Sequence, residues 1–309
     1  MQGTVIKSTG SACLVRLDNG KRLSCTVRGN FRIKGIQSTN PVAVGDIVTI
    51  SKQKDDSAQV DEIAERTNYI IRKATKLSKR SHIIAANMDR VFLMVTLTNP
   101  KTHLLFIDRF LVTAEAYHIP AEILINKTDL CDSPALQDDL NTIIKIYEHA
   151  GYPCHAISVF NNKDVARAAA LFKGKVSLVA GNSGVGKSSL INAMDPRFDI
   201  KTASISKKHQ SGKHTTTFAE MYELANGGFI IDTPGLKSFA TYDLEKEDLS
   251  HRFPEMRNLI GQCKFDNCQH ISEPKCAVIQ AVETGQIPTS RYENYLNIYQ
   301  GDELERFSN

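Results

Sequence analysis

The chain has 309 residues, 41% of them hydrophobic, and a formal net charge of +4 at pH 7. This length and composition allow two or three packed units with a mildly basic surface. No apolar run is long enough to span a bilayer and no secretory signal is present, so we expect a cytoplasmic protein without membrane contact.

The first 66 residues have the pattern of a small β-barrel. Residues 4–6, 13–17, 23–27 and 46–50 form short alternating runs, and Asp18-Asn19-Gly20 is a strong hairpin signal between the second and third runs. About five short strands in this length suit an OB-fold, a closed barrel that commonly binds nucleic acid. The excess of basic residues here is small, which is compatible with RNA binding but does not require it.

Two hydrophobic segments then lead to a polar motif. Residues 90–97 and 122–125 are predicted to be buried strands, with an amphipathic segment at 104–117 between them. The motif that follows the second strand is Asn126, Lys127, Thr128 and Asp129. Taken alone, such a tetrapeptide could equally be a polar turn.

The chemistry of the motif favours guanine. Asp129 can accept hydrogen bonds from the ring N–H and the exocyclic amine of guanine, and Asn126 can bond the oxygen face of the base. Adenine cannot form either set of hydrogen bonds. A carboxylate left without its hydrogen-bond donors costs free energy, so the site should bind adenine nucleotides much more weakly. Ser158 ends the segment 156–158, which closes the next unit and is a weaker candidate for the loop that backs the base.

A glycine-rich loop lies between a predicted strand at 175–180 and a predicted helix at 189–194, which is the setting of a phosphate-binding loop. The loop residues are Gly181, Asn182, Ser183, Gly184, Val185, Gly186, Lys187, Ser188 and Ser189. We expect the amides of residues 183–189 to surround the phosphates, Lys187 to contact the β- and γ-phosphates, and Ser188 to bind Mg²⁺.

A third motif, Asp232-Thr233-Pro234-Gly235, follows the apolar run 228–231. We expect Asp232 to hold Mg²⁺ through water and the Gly235 N–H to sense the γ-phosphate. Thr216, the middle residue of the threonine triplet 215–217, is weakly favoured to complete the Mg²⁺ shell. The other two threonines remain alternatives, because the sequence alone cannot order the triplet.

Three cysteines and a histidine are clustered near the C-terminus. Cys263, Cys268, His270 and Cys276 lie within fourteen residues and can fill a closed tetrahedral zinc shell of the structural kind. The alternative is a group of unrelated buried cysteines. Tyr292, Tyr295 and Tyr299 follow helical spacing, which is more typical of a packing face than of a base-stacking platform.

The guanine motif precedes the phosphate loop, which reverses the order usual in GTPases. The order is tolerable because the ligand lies at the carboxyl ends of a parallel sheet, where the pocket depends on which loops converge. On these motifs the chain resembles the circularly permuted GTPases of the RsgA (YjeQ) family. Residues 28–32, the segment Val44-Gly45-Asp46 and the zinc-ligand spacing are also similar to that family.

The resemblance implies a GTP hydrolase that acts in late maturation of the small ribosomal subunit. The implied partners are GTP and GDP, the small subunit and its rRNA, with structural Zn²⁺, Mg²⁺ and a monomeric chain. The implied fold is an OB-fold RNA-binding barrel at 1–68, an α/β circularly permuted P-loop GTPase domain at 69–248 and a mainly helical zinc-binding domain at 249–309.

Catalysis is the least determined part of the site. Leu236 stands where many GTPases carry a water-positioning glutamine. Either another group orients the attacking water, or hydrolysis is slow until a partner supplies that group. His214, in a segment similar to the Gly-Arg-His-Thr-Thr-Thr of the family, is the catalytic candidate beside Lys187. The alternatives are an exposed loop histidine, a GTP-dependent RNA-binding scaffold with incidental hydrolysis, and a permuted GTPase with a non-ribosomal RNA target.

Overall fold

The computed structural model describes residues 1–9, 12–27, 41–52, 57–72, 82–198, 219–232 and 245–301. The residues predicted at 28–32, His214, Thr216, Gly235 and Leu236 lie outside these ranges. The chain divides into two compact units. The first comprises residues 1–91, 165–180 and 188–236, and the second comprises 92–164, 181–187 and 237–309.

The strands in chain order are β1 (Gln2–Ser8), β2 (Ala12–Leu17), β3 (Arg22–Val27), β4 (Ile47–Lys52), β5 (Ala58–Ile63), β6 (Tyr69–Arg72), β7 (His82–Ala86), β8 (Arg90–Thr96), β9 (Ala121–Asn126), β10 (Cys154–Ala156), β11 (Val176–Ala180), β12 (Glu220–Glu223) and β13 (Phe229–Asp232). The α-helices are α1 (Leu104–Ala116), α2 (Pro134–His149), α3 (Asn162–Phe172), α4 (Lys187–Met194), α5 (Pro254–Arg257), α6 (Ala277–Glu283) and α7 (Thr289–Gln300).

The first five strands close into a barrel. β1 pairs with β2 and β4, β2 pairs with β3, β3 pairs in parallel with β5, and β5 pairs with β4. Alternate residues of β2 are buried, as a closed barrel with one inner face requires. Its core includes Val5, Val15, Ile50 and Val60. The predicted N-terminal barrel is therefore confirmed.

The predicted hairpin joins β2 and β3. The Leu17 N–H donates to the Lys21 carbonyl at 2.8 Å, and Gly20 closes the turn with a φ of 82°. This left-handed backbone is costly for most residues but open to glycine. The turn chemistry of the sequence thus decided the register of the first barrel strands.

Parallel and antiparallel strands continue the first unit beyond the barrel. β12 pairs with β1 through Lys7 and Glu220, whose side chains also form an ion pair at 3.0 Å. β12 pairs with β13, and β13 pairs in parallel with β11. Arg16 of the barrel donates two hydrogen bonds to Glu223 of β12, at 3.0 and 2.8 Å, which fixes the barrel on this edge.

The second unit combines α/β and helical parts. β9 pairs in parallel with β10, and β8, β9 and β10 are adjacent in that order. β8 and β9 are almost wholly buried, as predicted for strands covered on both faces. The helices α5, α6 and α7 share a hydrophobic core that also takes in Val112 of α1.

The tyrosines of α7 pack within this core, as their spacing predicted. Tyr295 is fully buried, and its ring lies 6.3 Å from that of Tyr292 and 6.2 Å from that of Tyr299. Within the described ranges, no helix has the length and apolarity needed to span a membrane.

Candidate functional site

Asn126 connects the predicted guanine motif to the phosphate loop. It is the last residue of β9 and its side chain is buried. Its Nδ2 donates to the Val185 carbonyl at 2.8 Å, and its Oδ1 accepts from the Val159 N–H at 3.3 Å. The Asn126 side chain therefore joins three loops. The sequence analysis assigned Asn126 to hydrogen bonding with the base and did not predict this structural role.

The same contact explains a glycine of the phosphate loop. A Cβ at Gly186 would lie 2.3 Å from the Asn126 Nδ2, and Gly186 has a φ of 105°. At Gly181, with a φ of 139°, a Cβ would lie 2.2 Å from the carbonyl oxygen of Met94 in β8. Any side chain at either position would push the loop away from the strands that support it.

Asp129 and Ser158 are in direct contact, a pairing that the sequence analysis did not specify. The Ser158 Oγ donates to the Asp129 Oδ1 at 2.5 Å, and the Ser158 N–H donates to the Asp164 carboxylate at 2.9 Å. The Thr128 N–H donates to the Ile157 carbonyl at 3.2 Å. Asp129 is itself exposed while Ser158 is buried, so the carboxylate is supported from behind and presented outward.

Lys127 has a left-handed backbone with a φ of 63°, and its Nζ donates to the Asn99 carbonyl. Asn99 belongs to the loop that follows β8. This loop also places the Pro100 ring 3.5 Å from where a Cβ of Gly184 would lie. The 97–102 loop thus contacts both motifs, and nothing in its sequence signalled that role.

The phosphate loop leads from β11 into α4, which begins at Lys187. The Lys187 Nζ donates to the carbonyls of Gly181 and Asn182, at 2.8 and 2.6 Å. The ammonium is thereby held over the loop, and its burial lowers the pKa of Lys187. A helix N-terminus behind a cationic side chain is suited to bind phosphate oxygens.

Ser188 and Asp232 belong to the first unit. Ser188 lies in the first turn of α4, and Asp232 ends β13, which runs parallel to the strand preceding the phosphate loop. A hydroxyl and a carboxylate are the hard oxygen donors that Mg²⁺ prefers, so the donor chemistry fits that ion.

The cysteine and histidine cluster assembles as predicted. The four potential ligand atoms of Cys263, Cys268, His270 and Cys276 all lie within 4.8 Å of one another. Cys263 Sγ lies 3.6 Å from His270 Nδ1 and 3.9 Å from Cys276 Sγ. Ligand atoms at the corners of a zinc tetrahedron with Zn–S bonds of about 2.3 Å would be about 3.8 Å apart.

The protonation chemistry of the cluster also suits a metal ion. Burial lowers the pKa of His270, which favours the neutral imidazole that metals bind. Burial raises the pKa of Cys268 to about 12, so a nearby cation is needed to stabilise its thiolate. The donor set, its spacing and its burial therefore fit structural zinc.

Residues that the motif did not reveal support the cluster. The Glu273 carboxylate accepts from the N–H groups of Gln269, Ile271 and Ser272 at 2.7 to 3.0 Å. Burial acts to raise the pKa of Glu273, but these N–H donors lower it to about 2. The Tyr292 hydroxyl donates to the His270 carbonyl at 2.8 Å. Only the tyrosine spacing could have indicated this support.

Comparison with known proteins decides the family. A sequence model of the RsgA GTPase matches residues 63–242, and one of the RsgA N-terminal domain matches residues 2–60. The chain belongs to the RsgA GTPase family. The family prediction is confirmed, and with it the prediction of a GTPase that hydrolyses GTP.

Relatives match over the full length. A Phocaeicola vulgatus protein is 49% identical and one from Bacteroides fragilis strain YCH46 is 50% identical, each alignment covering 99% of both chains. Both are named small ribosomal subunit biogenesis GTPase RsgA.

Two solved structures share the fold. YjeQ from Thermotoga maritima superposes with a TM-score of 0.78 at 34% identity, covering 97% of each chain. YloQ, described as a circularly permuted GTPase, gives 0.75 at 30% identity over 97% of this chain and 94% of its own. The predicted fold class is confirmed: a barrel, a permuted GTPase domain and a helical region carrying the Cys₃His cluster.

Proposed function

We propose that this GTPase acts in late maturation of the small ribosomal subunit, binds ribosomal RNA, and couples its GTP or GDP state to association and release. The names of the full-length relatives support the ribosomal role. The observation that carries the nucleotide site is the 2.8 Å hydrogen bond from Asn126 to the Val185 carbonyl, because it fixes the guanine motif to the phosphate loop.

In this proposal Asp129 reads the edge of guanine, with Ser158 holding the carboxylate and Lys127 and Thr128 completing the motif. The carboxylate accepts from two N–H groups that adenine lacks, so ATP is rejected. The Lys187 ammonium and the N–H groups of residues 183–189 balance the charge of the phosphates.

Two metal ions complete the proposal. Ser188, Asp232 and Thr216 would hold Mg²⁺, which neutralises charge on the phosphate oxygens when it is bound. Cys263, Cys268, His270 and Cys276 would hold Zn²⁺ as a structural ion, since four protein ligands leave no open position.

Residues beyond the described ranges are assigned by sequence alone. The Gly235 N–H would sense the γ-phosphate, and His214 would orient the attacking water in place of the glutamine that Leu236 replaces. We retain the boundaries 1–68, 69–248 and 249–309 for the RNA-binding, GTPase and zinc-binding domains. We also propose that the protein is a monomer and is located in the cytoplasm.

The proposal is tested by GTP turnover with and without small ribosomal subunits, with ATP and large subunits as controls. Stimulation specific to GTP and small subunits is expected. An unchanged rate despite binding would favour the scaffold alternative, and absence of binding would remove the ribosomal role. His214→Ala should abolish the stimulation, whereas preserved stimulation would assign the catalytic group to the partner.

Asp129→Asn tests base recognition separately. The amide should accept from the ring N–H of xanthine and donate to its 2-oxo group, while it cannot pair with the guanine amine. We expect GDP affinity to fall by about 100-fold or more and xanthosine diphosphate to be preferred. Unchanged preference for GDP would remove Asp129 from the base site.

A further inference from the structure

Phe160 is the most exposed large hydrophobic side chain in the part of the chain that the structure describes. It is 84% exposed, and the next most exposed, Met1, is 52% exposed. Single exposed hydrophobic residues are common on protein surfaces, so exposure alone assigns no role. Phe160 also lies beside the guanine motif, and this location indicates a function for the exposed ring.

The backbone that carries Phe160 is fixed by hydrogen bonds. The Phe160 N–H donates to the Ser158 Oγ at 3.3 Å, and the Asn161 N–H donates to the Ser158 carbonyl at 3.0 Å. Ser158 is anchored in turn, since its Oγ donates to Asp129 and its N–H donates to Asp164. An ordered turn therefore presents the phenyl ring.

This turn places the backbone of Phe160 close to Asp129, the proposed base-reading carboxylate. Phe160 lies two residues from the hydroxyl that contacts Asp129, and two residues of chain span at most about 7 Å. Guanine has a hydrogen-bonding edge and two flat faces. Hydrogen bonds to Asp129 use the edge and leave the faces available for an aromatic ring.

We propose that Phe160 stacks on the guanine base of the bound nucleotide and so positions the base against Asp129. The proposal rests on the guanine-nucleotide site described above. Stacking would remove the Phe160 ring and one face of the base from water. This would explain why an ordered turn carries an exposed phenylalanine. Since every base has an aromatic face, Phe160 would supply affinity while Asp129 selects the base.

Dissociation constants for GDP provide the test. Phe160→Ala should weaken GDP binding by about tenfold, within the range of about 5- to 150-fold that loss of one base–aromatic stack produces. Phe160→Trp should keep the affinity within about threefold, because an indole ring also stacks. Both substitutions are at an exposed position, so neither should affect folding.

Fluorescence gives an independent readout. The chain contains no tryptophan, so the residue introduced by Phe160→Trp is its only indole. GDP should quench its emission and ATP should not. Phe265→Trp is the matched control, because Phe265 is 40% exposed in the loop between the zinc-binding cysteines, and GDP should leave its emission unchanged.

The outcomes separate this inference from the proposed function. A wild-type protein that fails to bind GDP would overturn the nucleotide site itself. Wild-type GDP binding with equal affinity in Phe160→Ala, and no quenching in Phe160→Trp, would overturn the stacking alone. Loss of small-subunit binding with unchanged GDP affinity in Phe160→Ala would also overturn it and make the ring a contact for the ribosomal partner.

Discussion

Arg291 on α7 and Asp108 on α1 form an ion pair at 2.5 Å, with side chains only 1% and 0% exposed. The same guanidinium donates to both oxygens of Glu255 on α5, at 2.7 and 3.1 Å, and lies 4.7 Å from the centre of the Phe253 ring. Asn294 donates to the other Asp108 oxygen. The C-terminal helices are thus fastened to a helix of the GTPase domain through one buried arginine.

Replacing that arginine should loosen the C-terminal helices. Arg291→Met leaves the Asp108 and Glu255 carboxylates buried without their cation, which typically costs about 3–5 kcal/mol. Hydrogen exchange should show lost protection in α1, α5 and α7. Arg257→Met is the control, because Arg257 is half exposed in its pair with Glu115, and such pairs contribute about 0–1 kcal/mol. Equal protection in the two variants would contradict the assignment.

Removal of the Asn126 amide should separate the guanine motif from the phosphate loop. Asn126→Ala leaves the Val185 carbonyl and the Val159 N–H without their partner, and a buried unsatisfied group costs about 1–3 kcal/mol. We expect GDP to bind at least tenfold more weakly and the loops to lose protection from hydrogen exchange. Asn19→Ala, which removes an amide from an exposed hairpin, should change neither measurement.

The zinc assignment predicts one tightly bound Zn²⁺ per chain by elemental analysis. Cys268→Ser should lower the zinc content sharply, because three ligands cannot close the shell. Cys131→Ser, at a buried cysteine outside the cluster, should retain full zinc. A chelator should expose amides of residues 263–276 to exchange, since metal binding and local folding are coupled. Full zinc in Cys268→Ser would disprove the ligand set.

The hydrogen bonds of Asp195 predict that the free energy of unfolding falls in acid. Its carboxylate accepts from the Arg197 guanidinium at 2.9 and 2.6 Å and from the Ala225 N–H at 2.8 Å. Bonding to Arg197, aided by the backbone donors, lowers the pKa of Asp195 from 3.8 to about 2 despite burial. Because the folded pKa is depressed, this stabilisation is present above about pH 4 and is lost as the pH falls toward 2.

Urea midpoints of wild type and Asp195→Asn at pH 6, 4 and 3 measure this contribution. The wild type should be more stable at pH 6, and the difference between the proteins should shrink as Asp195 becomes protonated. A difference that stays constant over this range would show that the Asp195 charge does not stabilise the fold.

The sequence predicted local features well, because each depends on neighbouring residues. The Asp18-Asn19-Gly20 turn, the buried strands β8 and β9, and the Cys263 to Cys276 cluster all follow from short-range pattern and spacing. The contact of Asn126 with the base stays a prediction, and the sequence did not indicate the bonds that Asn126 makes within the protein. Its partners at positions 185 and 159 are distant in sequence, and no local pattern specifies them.

Sequence alone determined which chemical groups this protein offers for the proposed chemistry. A guanine-recognition motif, a phosphate loop and a Cys₃His set each require particular residue types at fixed short spacing, so the residues themselves reveal them. Tertiary structure alone decided how these parts are joined. The bonds from Asn126 to Val185 and from Arg291 to Asp108 span 59 and 183 residues, and they form only because folding buries polar groups that must then find partners.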